Sequence, residues 1–323
     1  MGSTGIIPPK HGVWCPAVTF IDPDTDELDL ESQTTYYSYL SKTGLAGLVI
    51  LGTNAEAFLL TREERSTLIA AARAAVGETY PIMAGCGSHS TKQTLELIHD
   101  AHRAGANYAL VLPAAYFGKA TTPKVIENFF LEVADKSPLP IVLYNFPGVC
   151  NGVDLDSDMI TRLAKKNENI VGVKLTCASV GKITRLAASD LSKDEFSTFG
   201  GQSDFLIGGL AAGSAGCIAA FANVFPTLIS RIYNLYQAGK KEEATALHLE
   251  AALAESHIKS GIAATKYATS VLSASFAGIK DAERRLQPRR PYEPLTDAAK
   301  NSIREGIIGL GQIEKSLVME RNA

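Results

Sequence analysis

Eight times between residues 13 and 237, a short apolar run is followed by a longer amphipathic stretch. The runs, such as Ile170–Leu175, show no polar alternation, so each strand needs cover on both faces. Strands are expected at 13–20, 47–51, 80–85, 108–112, 140–144, 170–175, 196–199 and 217–220. The intervening stretches carry helix punctuation. Thr61 with Glu64 three residues on reads as a capping box, and Gly105 closes the helix expected from residue 91. Strands of this kind separated by helices imply parallel pairing through crossovers. Eight such units fit a closed (β/α)8 TIM barrel better than an open sheet.

After Gly239 the strand pattern stops. Helices are expected at 242–259, 263–277 and 297–319, with a Pro/Arg-rich connector at 287–294. The chain therefore divides into a barrel, residues 1–239, and a three-helix extension, residues 240–323. A length of 323 residues suits one barrel of about 250 residues plus such a tail. The formal net charge of −3 gives no reason to expect nucleic acid or an anionic membrane as partner. No apolar run approaches the roughly 20 residues of a membrane span, and residues 1–10 lack the apolar core of a secretory signal. The last residues, Arg321-Asn322-Ala323, carry no familiar address. Five scattered cysteines form neither a CxxC pair nor a Cys/His cluster, which points to a reducing compartment without structural zinc. The expected location is the cytoplasm, and no metal or cofactor is expected. His99 and His102 are three apart on a helix, but no third ligand is near in the sequence.

Barrels place their chemistry at the C-terminal ends of strands. Lys174 stands out there, inside the apolar run Ile170–Leu175. An ammonium group in apolar surroundings is costly. A neutral amine is a nucleophile toward a ketone, and the imine it forms is an electron sink. The same position also suits a lysine that reaches solvent or pairs with a buried carboxylate. Lys266 competes less well, because its helix is expected away from any strand end. Tyr144 ends the preceding strand, close enough for its phenol to meet a group on Lys174, although an ordinary half-buried tyrosine fits as well. The loop Gly52-Thr53-Asn54-Ala55-Glu56 follows the second strand and has the backbone N–H groups and hydroxyl to hold a carboxylate. Glu56 reads as a base or as a carboxylate that holds local structure.

In these strand-end motifs the sequence resembles the dihydrodipicolinate synthase/N-acetylneuraminate lyase family of class I aldolases. The family pattern is GTTGE or GSNGE after the second strand, YN[VI]P after the fifth and G-[VI]-K in the sixth. Here they read Gly52 to Glu56, Tyr144-Asn145-Phe146-Pro147 and Gly172-Val173-Lys174. The resemblance spans nearly the whole chain and implies a lyase with no cofactor. Lys174 would form an imine with pyruvate, and Tyr144 would shuttle protons. Thr53 would link Tyr144 to a tyrosine of a neighbouring subunit, for which Tyr116 is the candidate. Thr53 and Asn54 would hold the pyruvate carboxylate, Gly201 and Ile218 would line the site with backbone, and Thr176 would meet sugar hydroxyls. The family is usually a homotetramer.

Within the family, a true dihydrodipicolinate synthase carries a carboxylate-binding arginine two residues after the proline of YNVP. Val149 stands there, and a valine offers no bidentate contact. This favours a 2-keto-3-deoxy sugar acid, cleaved to pyruvate and a hydroxyaldehyde such as L-glyceraldehyde. The nearest branch is the fungal-type L-threo-3-deoxy-hexulosonate aldolases. The alternatives are dihydrodipicolinate synthase itself, acting on pyruvate and aspartate semialdehyde, a 4-hydroxy-2-oxoglutarate aldolase, and a catalytically silent keto-acid-binding homologue. Ala55, where the family has glycine, has no explanation in the sequence.

Overall fold

The computed structural model describes residues 5–322, the side chain of Asn322 excepted; Met1–Thr4 and Ala323, parts of the two ends inspected for targeting signals, lie outside the described residues. Eight parallel strands close in chain order into a barrel. They are β1 (Gly12–Pro16), β2 (Gly47–Ile50), β3 (Ile82–Gly85), β4 (Tyr108–Val111), β5 (Ile141–Asn145), β6 (Ile170–Leu175), β7 (Ser197–Gly200) and β8 (Gly216–Ile218). Between and after them run α1 (Leu30–Ser41), α2 (Arg62–Val76), α3 (Thr91–Arg103), α4 (Pro123–Lys136), α5 (Ser157–Lys166), α6 (Val180–Ala187), α7 (Leu206–Ala211) and α8 (Pro226–Gln237). The chain continues as α9 (Lys241–Ser256), α10 (Ile262–Val271), the one-turn helices α11 (Ser273–Phe276) and α12 (Ala282–Arg285), and α13 (Asp297–Asn322). Among the described residues the chain is thus a TIM barrel with helices outside it. No described helix is long and apolar enough to cross a membrane.

The local signals explain most boundaries. The Thr61 side chain accepts from the Glu64 N–H while the Glu64 carboxylate accepts from the Thr61 N–H, so α2 starts where the capping box places it. Two expectations change. The first strand stops at Pro16 rather than residue 20, because side chains satisfy the next backbone groups. Asn223 accepts from the Val18 N–H at 3.0 Å, and Gln33 accepts from the Phe20 N–H at 2.9 Å. The second extension helix breaks at Leu272, whose φ and ψ are −121° and −90°. Helices α10 and α11 therefore replace one continuous helix.

Two apolar layers hold the barrel. Outside the sheet the helices pack on strand residues such as Leu48, Ile50, Ala84 and Val173. Inside it, Trp14, Val49, Met83, Leu110, Val142 and Phe199 fill the interior. The Trp14 ring lies across Gly47, where a Cβ would come within 2.4 Å of it, so glycine makes room for the only tryptophan. These side chains fill the interior, and barrels of this kind keep their chemistry at the strand C-termini.

Candidate active site

Strand register brings the central pair together. Tyr144 and Lys174 are direct partners across β5 and β6. Lys174 Nζ lies 4.3 Å from the centroid of the Tyr144 ring, so the amine sits over the face of the phenol. Lys174 is 2% exposed and Tyr144 is 4% exposed, and Lys174 has no carboxylate partner among the described residues. The alternatives of a solvent-reaching or carboxylate-paired lysine are therefore not what the structure contains. The Tyr144 hydroxyl and Thr53 Oγ1 are 3.2 Å apart, which joins the ends of β5 and β2. The amine over the ring and the phenol hydroxyl beside the threonine place three reactive or polar groups side by side at the ends of β6, β5 and β2.

The β2 loop owes its shape to close approaches. Leu51 takes φ +65°, and its carbonyl points at Gly85 in β3, where a Cβ would sit 1.9 Å from the oxygen. Thr53–Ala55 then forms a single 3-10 turn that carries Thr53 and Asn54, and Glu56 follows in the left-handed region with φ +55°. Ala55 is buried inside that turn with a negative φ, and its carbonyl accepts from Thr19 Oγ1 at 2.8 Å. A methyl group is accommodated there, which accounts for alanine in place of glycine.

Glu56 points away from Tyr144. Its Oε2 lies 2.6 Å from Lys266 Nζ, and its Oε1 accepts from the Arg289 N–H at 2.8 Å. The expectation that Lys266 lies away from every strand end is thus corrected: α10 packs over the end of β2 and buries the pair completely, with side-chain exposures of 0% and 3%. Burial lowers the Lys266 pKa, and the nearby Glu56 charge opposes that shift. Glu56 holds the loop.

Beside Tyr144, Asn145 is fully buried and fixes the turn out of β5. Its Nδ2 donates to Asp154 Oδ1 at 2.6 Å and its Oδ1 accepts from the Leu155 N–H at 2.9 Å. Lys182 closes this network with 2.6 Å contacts to Asp154 Oδ1 and the Leu155 carbonyl. Asp154 is held below the usual carboxylate range by its bonds to Lys182 and Asn145, against the opposing effect of desolvation, the largest single influence. Val149 is half exposed in the turn Pro147–Val149, so no cation stands at that position.

On the other side of Lys174, Thr176 and Gly201 touch. A Cβ on Gly201 would fall 2.1 Å from Thr176 Oγ1, and the Gly201 N–H donates to the Leu175 carbonyl at 3.0 Å. Thr176 Oγ1 is buried without a hydrogen-bond partner among the described residues. A buried unpaired hydroxyl is costly, and a polar ligand atom would satisfy it. Ile218 ends β8 fully buried, with its side chain in the barrel interior. Asn223, five residues past β8, is structural: its Nδ2 donates to the Pro16 and Ala220 carbonyls.

Tyr116 is not brought to this cluster within one chain. It is 71% exposed, 5.7 Å from the ring of His89, which in turn lies 6.1 Å from Phe58. Among the described residues no group of three or more His, Cys, Asp and Glu side chains is arranged to hold a metal ion. All five cysteines are unpaired. A cavity of about 540 Å³ lies between α1, α8, α11 and α13 and is lined by none of Lys174, Tyr144, Thr53 or Thr176. A smaller one at the strand ends is lined by Gly52, Thr53, Gly85, Leu112 and Tyr144.

Residues 10–308 match the dihydrodipicolinate synthetase family. A Coccidioides immitis protein provisionally named a mitochondrial 4-hydroxy-2-oxoglutarate aldolase is 67% identical over 96% of this chain and 98% of its own. An L-threo-3-deoxy-hexylosonate aldolase of Hypocrea jecorina is 38% identical over 95% of this chain and 98% of its own. Crystal structures of a C. immitis protein provisionally placed in the dihydrodipicolinate synthase family superpose with a TM-score of 0.92 at 64% identity, covering 96% of this chain and 98% of that one. The first of these relatives overturns the cytoplasmic expectation. Unpaired cysteines suit the mitochondrial matrix as well as the cytosol, so they do not separate the two. By full-length sequence match and by fold, the chain belongs to the dihydrodipicolinate synthetase family and is a class I aldolase, a lyase acting on small molecules.

Proposed function

We propose that the protein cleaves a 4-hydroxy-2-oxo acid into pyruvate and an aldehyde through an imine on Lys174. The observation that carries this is the grouping of Lys174, Tyr144 and Thr53, a buried amine over a phenol that is itself hydrogen bonded. The Lys174 amine adds to the C2 carbonyl, and loss of water gives the iminium. Tyr144 takes the C4 hydroxyl proton as the C3–C4 bond breaks, and the electron pair moves into the iminium. The aldehyde leaves, the enamine is protonated at C3, and water releases pyruvate. Thr53 hands protons to and from the phenol, and with Asn54 it holds the substrate carboxylate. Thr176 and Gly201 face the part of the substrate beyond C4, and Ile218 lines the floor.

4-Hydroxy-2-oxoglutarate heads the list of substrates, on the strength of the relative at 67% identity. The reading that favours L-threo-3-deoxy-hexulosonate rests on Val149, which offers no partner for a second carboxylate, and on the relative at 38%. The same valine argues against aspartate semialdehyde. The protein is proposed to work in the mitochondrion. A second copy is proposed to cover the exposed Phe58, Tyr116 and Phe117 rings, bringing Tyr116 towards Thr53 in a homotetramer. Borohydride reduction in the presence of pyruvate tests the mechanism: wild type gains a stable adduct on Lys174, and Lys174→Ala gains none and loses turnover. Substantial turnover by a folded Lys174→Ala variant excludes the imine. Steady-state rates on the two acids, with glyoxylate or glyceraldehyde as the aldehyde product, decide the substrate.

A further inference from the structure

The β7–α7 loop is held from outside the barrel. Ser203 in that loop is 1% exposed, and each of its polar groups meets a side chain of α9. Glu255 accepts from Ser203 Oγ at 2.5 Å and from the Ser203 N–H at 3.4 Å. His248 Nε2 lies 2.9 Å from the Ser203 carbonyl oxygen. His248 and Glu255 are two helical turns apart and so share a face of α9. Just past the helix, Lys259 pairs with Asp204 and reaches Gln202 Oε1 at 3.4 Å. Four consecutive loop residues, Gly201 to Asp204, are thus fixed at one end by Leu175 and at the other by α9.

Gly201 presses on Thr176, two residues beyond Lys174 on the way out of the barrel. A ligand anchored on Lys174 meets Gly201 and Thr176 with its remote end. Glu255 is 3% exposed. An apolar residue would fill this helix face at lower desolvation cost, and a buried carboxylate in its place is a sign of positional demand. We propose that Glu255 is a positioning residue: through Ser203 it sets where Gly201 sits, and thereby the affinity for the polar end of the substrate beyond C4, remote from the imine. This rests on the Schiff-base reading above.

The test uses the full chain with Glu255→Ala, Glu255→Gln and Ser203→Ala. Three quantities are read: KM and kcat for whichever 4-hydroxy-2-oxo acid is turned over, and the pyruvate concentration that half-saturates borohydride trapping on Lys174. Glu255→Ala and Ser203→Ala should raise KM about tenfold, as a displaced Gly201 and Thr176 give up about one hydrogen bond to the substrate. The kcat should stay within about twofold, as uniform binding is lost. Half-saturation by pyruvate, which has no remote end, should not move. Glu255→Gln retains an acceptor and should restore KM. Ser203→Ala removes one oxygen only and carries the test if Glu255→Ala does not fold. An unchanged KM in folded Ser203→Ala overturns the inference. So does a parallel rise in KM and pyruvate half-saturation, or a glutamine that fails to restore. Wild type that traps no pyruvate overturns the Schiff-base reading and this inference with it, whereas trapping with an unmoved KM overturns this inference alone.

Discussion

Lys266→Met isolates what the buried pair at the end of β2 contributes. The ammonium and the Glu56 carboxylate are 2.6 Å apart and out of contact with water. Removing one partner of a buried pair costs about 3–5 kcal/mol, because the remaining charge is uncompensated. Here the carboxylate keeps the Arg289 N–H at 2.8 Å, which places the loss at the lower end, about 3 kcal/mol. A chain of 323 residues unfolds with an entropy of about 0.7 kcal/mol/K, from roughly 2 cal/mol/K per residue, so the melting temperature should fall by about 4 °C. Glu56→Gln added to Lys266→Met removes the stranded charge and should recover about 2 kcal/mol. Calorimetry and urea unfolding of wild type, both single variants and the double variant give the coupling directly. A Lys266→Met variant that loses under about 1 kcal/mol, or a double variant no better than it, would show that the carboxylate is not left uncompensated, and the reasoning would be wrong.

Tyr144→Phe keeps the ring over Lys174 and deletes only the hydroxyl bonded to Thr53; single-turnover kinetics should show cleavage slowed about 10²–10⁴-fold, with little change in melting temperature, and a loss under tenfold would remove Tyr144 as the proton carrier. Stability should also depend on pH through two buried carboxyls, Glu255 and Glu314, each pushed by burial from 4.5 up to about 7. Between those values the folded chain binds more protons than the unfolded one, so stability is greatest below pH 4.5, as far as these groups go, and falls as pH rises to about 7. Glu314→Gln should remove roughly half of that fall in melting curves across this range, and an unaltered slope would refute the assignment.

The sequence makes the barrel legible because its main signal is local. Each strand of β2, β3, β5 and β6 is buried at every position, which is what runs such as Gly47–Ile50 and Ile170–Leu175 require. Caps such as Thr61 also act within one turn. The Lys174 and Tyr144 juxtaposition is readable for a related reason: adjacent strands in one sheet must share a register, and both residues sit at the same height. Lys266 and Glu255 were beyond that reach. Their partners lie 210 and 52 residues away, and nothing in an amphipathic helix tells which loop its buried charged residue will face. A helical charge expected to be buried on the core face was the available signal, since an unpaired one is seldom tolerated. The premature end of β1 has the same origin: Gln33 and Asn223 take over its backbone bonds from elsewhere in the chain.

These long-range contacts share a direction. The β2 loop with Thr53 is held by Lys266 from α10, the β5 turn after Tyr144 by Lys182 from α6, and the β7 loop with Gly201 by Glu255 and His248 from α9. In each case a buried ionisable side chain outside the loop satisfies polar groups that the loop cannot satisfy itself. Barrel loops are the mobile part of the fold, and an imine enzyme needs amine, phenol and carboxylate site fixed to within a fraction of an ångström. Two of the three clamps come from helices that follow the eighth βα unit. Helices added outside a complete barrel contribute little to closing it, yet these reach its reactive end. Their placement is therefore better explained by preorganisation of the strand-end loops than by stability of the barrel alone.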